Sequence, residues 1–267
     1  MASVRDSSQA ASSVEDVFPL RPANKKPQVT EDFANDFAYG TSVATCEPNI
    51  RLGFIRKVYG ILAVQLAITT AICALFMLVT PLRSLAIAGY GAITIVSTIG
   101  TFGTLLALMV YKDSYPVNMQ LLAAFTVCES FLMAMVCARY AQSGLSVLVV
   151  EALVITLAIF SGITLYAFTS KKDFSFMGGA LYAALMGLLI AMIVNMFLGF
   201  TGNKSPFMAM VISYGGSLLF SLYILYDTSL IMHHLGPDDA ILAAVNLYLD
   251  ILNLFLYILA ILSRNRD

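Results

Sequence analysis

Two aspartates stand where an apolar pattern leaves no room for charge. Asp227 interrupts YILYDTSLI (residues 223–231), and Asp250 interrupts LYLDILNLF (residues 247–255). Glu129 and Glu151 also lie within apolar runs, whereas every Lys and Arg falls at the end of such a run or outside it. A carboxylate at the centre of a membrane helix costs about 2.5–3.5 kcal/mol on insertion scales, so such groups face a bundle interior or water. With no basic residue inside the runs, compensation must come from protons, cations, polar neighbours or a second acid. The alternative, carboxyls kept neutral for packing alone, has to be invoked separately for each of the four.

Depth makes the aspartates a pair. Asp227 precedes Gly236 by nine residues, about 13 Å at the helical rise. Asp250 follows Ala240 by ten residues, about 15 Å. In an antiparallel hairpin the two reach one level, and rotation decides whether they meet. Facing carboxylates in a poor dielectric resist joint ionisation, so one shared proton is the natural state and the pair titrates as a unit, a pH sensor. Calcium prefers hard oxygen ligands, which the pair and the amide oxygens of Asn246 and Asn253 offer as a transient metal site. Glu129 at mid-span and Glu151 nearer a helix end extend this into an acidic ion path. Lys112 is the candidate cationic latch, and an ordinary interface lysine is an equal account of it.

Seven apolar stretches must position these groups: residues 54–79, 85–111, 117–139, 145–168, 176–200, 207–232 and 241–262. Each approaches or exceeds the roughly 20 residues of a membrane helix. The polar punctuation between them is short (TPLRS, YKDSYP, RYAQSG, TSKKDFS, TGNKSP and HHLGPDDA), so neighbouring helices run antiparallel. The four acids thus fall on the third, fourth, sixth and seventh spans. No stretch alternates with a two-residue period, which argues against a barrel. The chain of 267 residues is 59% hydrophobic and 12% charged, with mean hydropathy +0.84. Soluble domains average about 25% charged residues, so this is the composition of an all-α membrane protein. The net charge of −1 and the lack of a basic stripe exclude a nucleic-acid partner.

Placing the N-terminus in the cytosol puts Arg51, Arg56, Lys57, Lys112, Lys171 and Lys172 on that side, against Arg83, Arg139 and Lys204 opposite. The seventh segment spans or re-enters; re-entry would return Arg264 and Arg266 to the cytosolic majority. Residues 1–50 are rich in Ser, Pro and charge and read as a disordered cytosolic tail, with Phe33, Phe37 and Tyr39 a candidate docking plug. No signal-peptide pattern opens the chain, so targeting falls to the first spanning helix, and residues 51–267 form the transmembrane helical domain. Cys73, Cys128 and Cys137 lie in apolar runs and Cys46 in the tail, which is no disulfide framework. The Asn203-Lys204-Ser205 sequon precedes Pro206 in a short loop, and the His233-His234 pair suits a wet helix end better than a metal. Gly178-Gly179 and Gly215-Gly216 would let helices approach closely.

YILYDT and LYLDILNLFL, with KKDFSFMG between the fourth and fifth spans, resemble the transmembrane BAX inhibitor motif family. NDFAYGTSVAT and IRLGFIRKVYGIL are similar to its lifeguard branch, and the likeness runs from Asp36 to Phe255. The resemblance implies a seven-helix bundle with one central helix wrapped by the others and a re-entrant last segment. It implies a pH-sensitive calcium leak from Golgi or endoplasmic reticulum stores that dampens cell death, with Asp227 and Asp250 as the sensing pair. Calcium would then be the permeant ion, with no cofactor, and apoptosis-regulatory membrane proteins are candidate partners.

A proton-coupled calcium antiporter would use the same acids, and a survival regulator would act through protein contacts of the tail. An intramembrane aspartyl protease is disfavoured, because Leu-Tyr-Leu precedes Asp250 where Gly-x-Gly is needed and no Pro-Ala-Leu follows. The oligomeric state is not legible.

Overall fold

The computed structural model describes residues 48–170, 172–202 and 205–264. The tail to residue 47 with Phe33, Phe37, Tyr39 and Cys46 lies outside the described residues, as do Lys171, Asn203, Lys204 and Arg266. The described residues form α-helices and two short 3-10 turns, without strands. The first helix, α1, covers Pro48–Leu78. At 31 residues it is about 46 Å long, beyond the roughly 30 Å of bilayer hydrocarbon.

The second span differs from its sequence reading. TPLRS is not a connecting loop; it opens a separate helix, α2 (Thr80–Ala88), after Val79 turns extended. Pro81 sits in the first turn, where a missing N–H costs nothing and its fixed φ is already helical. Arg83 donates to the Met77 carbonyl at 3.2 Å, serving one orphan acceptor at the end of α1. Gly89 then separates α2 from α3 (Tyr90–Val110), so the long helix begins at residue 90 rather than 85.

The remaining helices are α4 (Val117–Gln142), α5 (Ser146–Thr169), α6 (Gly178–Phe200), α7 (Pro206–His233) and α8 (Ala240–Arg264). Ser205 caps α7 by accepting the Met208 N–H at 3.3 Å, with Pro206 as the first helical residue. Seven of the described helices are long and apolar enough to cross a membrane. The last, α8, is one unbroken helix of 25 residues, so the turn that a re-entrant path requires is absent from it.

The described spans form a membrane bundle around α8, which packs against α1, α4, α5 and α7. Its Leu247, Tyr248 and Leu254 are fully buried, joined by Leu62 of α1, Phe125 of α4 and Ile224 of α7. The Phe125 ring meets Tyr248 edge-on, with centroids 6.1 Å apart. By contrast α3 and α6 lie on the outside, exposing Ile95, Ile99 and Phe102, and Ile190, Ile193 and Phe197. A centre that mixes apolar side chains with the buried polar groups, and a rim of large exposed apolar ones, is what hydrocarbon solvent selects.

Candidate functional site

Asp227 lies two turns before the end of α7, and Asp250 near the middle of α8. Both are buried, at 8% and 7% exposure. Their carboxyls face each other across the α7–α8 interface as hydrogen-bond partners. An ionised carboxylate only accepts, so a bond between two of them carries a proton. Among the described residues no N–H or hydroxyl reaches Oδ2 of Asp250. The Tyr223 hydroxyl, one turn before Asp227, lies in the field of both carboxyls.

A cavity of about 220 Å³ leads to this pair from the turn between α7 and α8. Asp227, Asp239 and Asn246 bring oxygens to its wall, and Leu230, Leu235 and Leu242 supply the apolar part. Asp227 borders this vestibule and Asp250 does not. Asp239 sits at the mouth, where its carboxylate accepts the Gly236 N–H at 3.2 Å. Lys112 reaches across from the end of α3 and pairs with Asp239 at 3.2 Å. That hydrogen bond, with the charges of Asp239 and Asp113, keeps the Lys112 ammonium above its ordinary value. Lys112 therefore latches the vestibule's outer acid rather than the buried pair.

A family model described as inhibitor of apoptosis-promoting Bax1 matches residues 51–267. The chain belongs to this Bax1-inhibitor family. It is 38% identical over 229 residues to the Golgi anti-apoptotic protein of Vaccinia virus (strain Lister), covering 86% of this chain and 92% of that one. Protein lifeguard 4 of Mus musculus is 39% identical over the same shares. Bax inhibitor 1 of Schizosaccharomyces pombe is 35% identical over 241 residues, covering 89% of this chain and 87% of that protein.

In this Bax1-inhibitor chain the other acids stand apart from the pair. Glu129 is buried on α4 and lies in the field of Tyr248. Glu151 is half-buried near the start of α5. Neither lines the vestibule. Asn246 does, whereas Asn253 turns its amide back onto the Leu249 carbonyl of its own helix at 2.8 Å.

Two polar clusters escaped the sequence reading. The first is a buried seam across three helices. Gln65 Nε2 donates to Thr126 Oγ1 at 3.1 Å, and Thr69 Oγ1 lies 2.9 Å from Ser130 Oγ and 2.8 Å from the Tyr248 hydroxyl. The signal was present in the spacing. Gln65 and Thr69 on α1, and Thr126 and Ser130 on α4, each lie four residues apart and so share a helix face.

The second cluster sits at the turn-bearing end. Asp173 Oδ2 accepts from His234 Nε2 at 2.7 Å and from Ser175 Oγ at 3.0 Å, while Oδ1 accepts the Ser175 N–H at 2.9 Å and Ser229 Oγ at 3.1 Å. Partial burial pushes the other way, but these bonds from His234, Ser175 and Ser229 hold the Asp173 carboxyl below the usual carboxylate range. They clamp the α5–α6 connection to the last turns of α7, through Ser229, two residues beyond Asp227, and His234, which follows the helix.

A carboxyl depressed in the folded state stabilises above its unfolded value, about 3.9, and the benefit is lost as pH falls through the folded value. Asp173→Asn should therefore melt about 2–4 °C lower near neutral pH, the equivalent of roughly 1 kcal/mol for a partly solvated group. The gap between the two proteins' melts in detergent should begin to narrow below about pH 4 and close progressively as the pH falls further. A gap that persists in acid would assign the stabilisation to something other than the charge.

Proposed function

We propose that this protein is a pH-sensitive calcium leak of an intracellular membrane that restrains cell death, acting as a conduit rather than an enzyme. The observation that carries the reading is the buried Asp227–Asp250 contact opening on a vestibule through Asp227 alone. A proton shared by the pair cancels part of its charge. Its departure leaves two carboxylates in a poor dielectric, which repel each other and offer hard oxygens to a divalent cation. The carboxylate of Asp239 and the amide of Asn246 supply further oxygens along the approach. Lys112 competes for Asp239 at the mouth, so a cation entering must displace an ammonium.

The relatives' names support the cellular side of the reading. The Vaccinia virus relative is called a Golgi anti-apoptotic protein and the fission-yeast relative a Bax inhibitor. We place this chain in Golgi or endoplasmic reticulum membranes with its N-terminus and vestibule cytosolic, as the bias of Arg56, Lys57, Lys112 and Lys172 favours. Cytosolic pH is then what Asp227 senses.

The test is calcium entry into dye-loaded proteoliposomes across a pH series. Entry should follow pH in vesicles containing the protein and be absent from protein-free ones. Vesicles equally tight with and without protein at each pH overturn the leak. A lumenal pH dye reporting stoichiometric proton counterflow would replace it by a proton-coupled antiport.

A further inference from the structure

We propose that the Tyr248 hydroxyl, acting through Thr69, is a positioning group for the Asp227–Asp250 pair, because it fixes the rotation of the central helix on which their meeting depends. The inference rests on the reading of that pair as the pH sensor. Tyr248 and Asp250 are two residues apart on α8, about 200° of helical rotation, so they project from opposed sides. Asp250 meets Asp227 of α7 on one side. On the other, Tyr248 meets Thr69 of α1, which in turn meets Ser130 of α4.

The direction of the Tyr248 bond follows from counting protons. Ser130 donates to the Thr126 carbonyl at 2.6 Å, and Thr69 donates to the Gln65 carbonyl at 2.9 Å. Tyr248 is fully buried, so its O–H has to be satisfied within the protein; Thr69 Oγ1 lies 2.8 Å away as the acceptor, with the Ser130 hydroxyl a second one within reach. The residues around it on α8, Leu247, Ile251 and Leu254, are apolar and buried. Apolar contacts of this kind tolerate small rotations, whereas a hydrogen bond is directional and fixes the angle at which its two atoms meet. A turn of α8 by about 20° would carry a side chain at about 5 Å radius through roughly 1.7 Å, enough to break a hydrogen bond.

The ionisable groups around this element are few. From α7 the pair meets Tyr223, which in turn is near Tyr226 and, from α6, Tyr182. From α4 Glu129 faces Tyr248, and from α1 Cys73 does so. On α5 Glu151 stands near the helix start, the end away from the vestibule.

The experiment labels protonated buried carboxyls with dicyclohexylcarbodiimide in proteoliposomes across a pH series and reads Asp227 and Asp250 by peptide mass spectrometry. Tyr248→Phe keeps the ring against Phe125 and removes only the hydroxyl; Thr69→Val removes the acceptor and serves if the first variant fails to fold. Each should shift the midpoint of labelling by about 0.5–1 pH unit, the pH equivalent of one neutral hydrogen bond. The double variant should shift it no further than either alone. Wild-type midpoints in both single variants, with a shifted one in Asp227→Asn, overturn the positioning role and leave the pair intact. A wild-type profile in Asp227→Asn as well removes the pair itself, and the positioning role with it.

Discussion

Asparagine in place of Asp250 is expected to leave a calcium flux whose pH dependence is displaced from the wild-type one. The amide has the carboxyl's shape and can donate to Asp227 without borrowing a proton, so the α7–α8 contact survives while the pair no longer titrates as a unit. Asp227 remains ionisable, so the midpoint of the flux–pH curve should move by about 1 pH unit or more rather than vanish. Asp227→Asn should do the same and also lower the flux at each pH, because Asp227 alone of the pair borders the vestibule. Alanine at residue 250 is a poorer probe. It strands Asp227 without its buried partner, at a cost of about 1–3 kcal/mol or more, and confounds gating with folding. A wild-type pH response in both asparagine variants would falsify the assignment of the sensor to this pair.

The second large effect is expected at Gly216. A Cβ there would lie 2.6–2.7 Å from three ring atoms of Tyr257. The ring cannot swing clear, since it stacks on Phe220 at 5.8 Å and its hydroxyl bonds Met192 Sδ at 3.4 Å. Gly216→Ala should therefore destabilise by about 1–3 kcal/mol, and Gly216→Leu by more. Gly216 lies about three turns from Asp227 and Tyr257 about two turns from Asp250, so both contacts belong to one α7–α8 face. A wedge at the first should also disturb the second, and the leucine variant should show an altered pH midpoint beside its lower melting temperature. Gly215 is the control. Nothing lies within 4 Å of a Cβ built there, so Gly215→Ala should be neutral or stabilising by up to about 1 kcal/mol. Equal melting of the two alanine variants would remove close approach as the reason for this glycine.

The spans were legible because hydropathy and run length are properties of neighbouring residues. The α2 helix was not, since Pro81 reads equally as a loop or as a first helical turn until its packing is known. Of the two glycine pairs, Gly178 and Gly216 make close approaches whereas Gly179 and Gly215 face open space; helix rotation decides which, and periodicity in such apolar segments does not reveal it. The matching depth of Asp227 and Asp250 needed only the helical rise and a turn, both local. Lys112 finding Asp239, or Thr69 finding Tyr248, joins residues separated by 127 and 179 positions. Those pairings follow from which helix sits at the centre, and composition gives no hint of that order.

The helix at the centre is the last of the seven described spans to leave the ribosome. Until α8 inserts, Thr69 and Ser130 have no phenol to receive and Asp227 has no partner. The six earlier spans must wait in the bilayer as an open shell, with their polar faces turned inward around an unfilled axis. Closure of these described spans is thus gated by α8, and the interval before it is when a membrane chaperone or quality-control protease would find the most to hold.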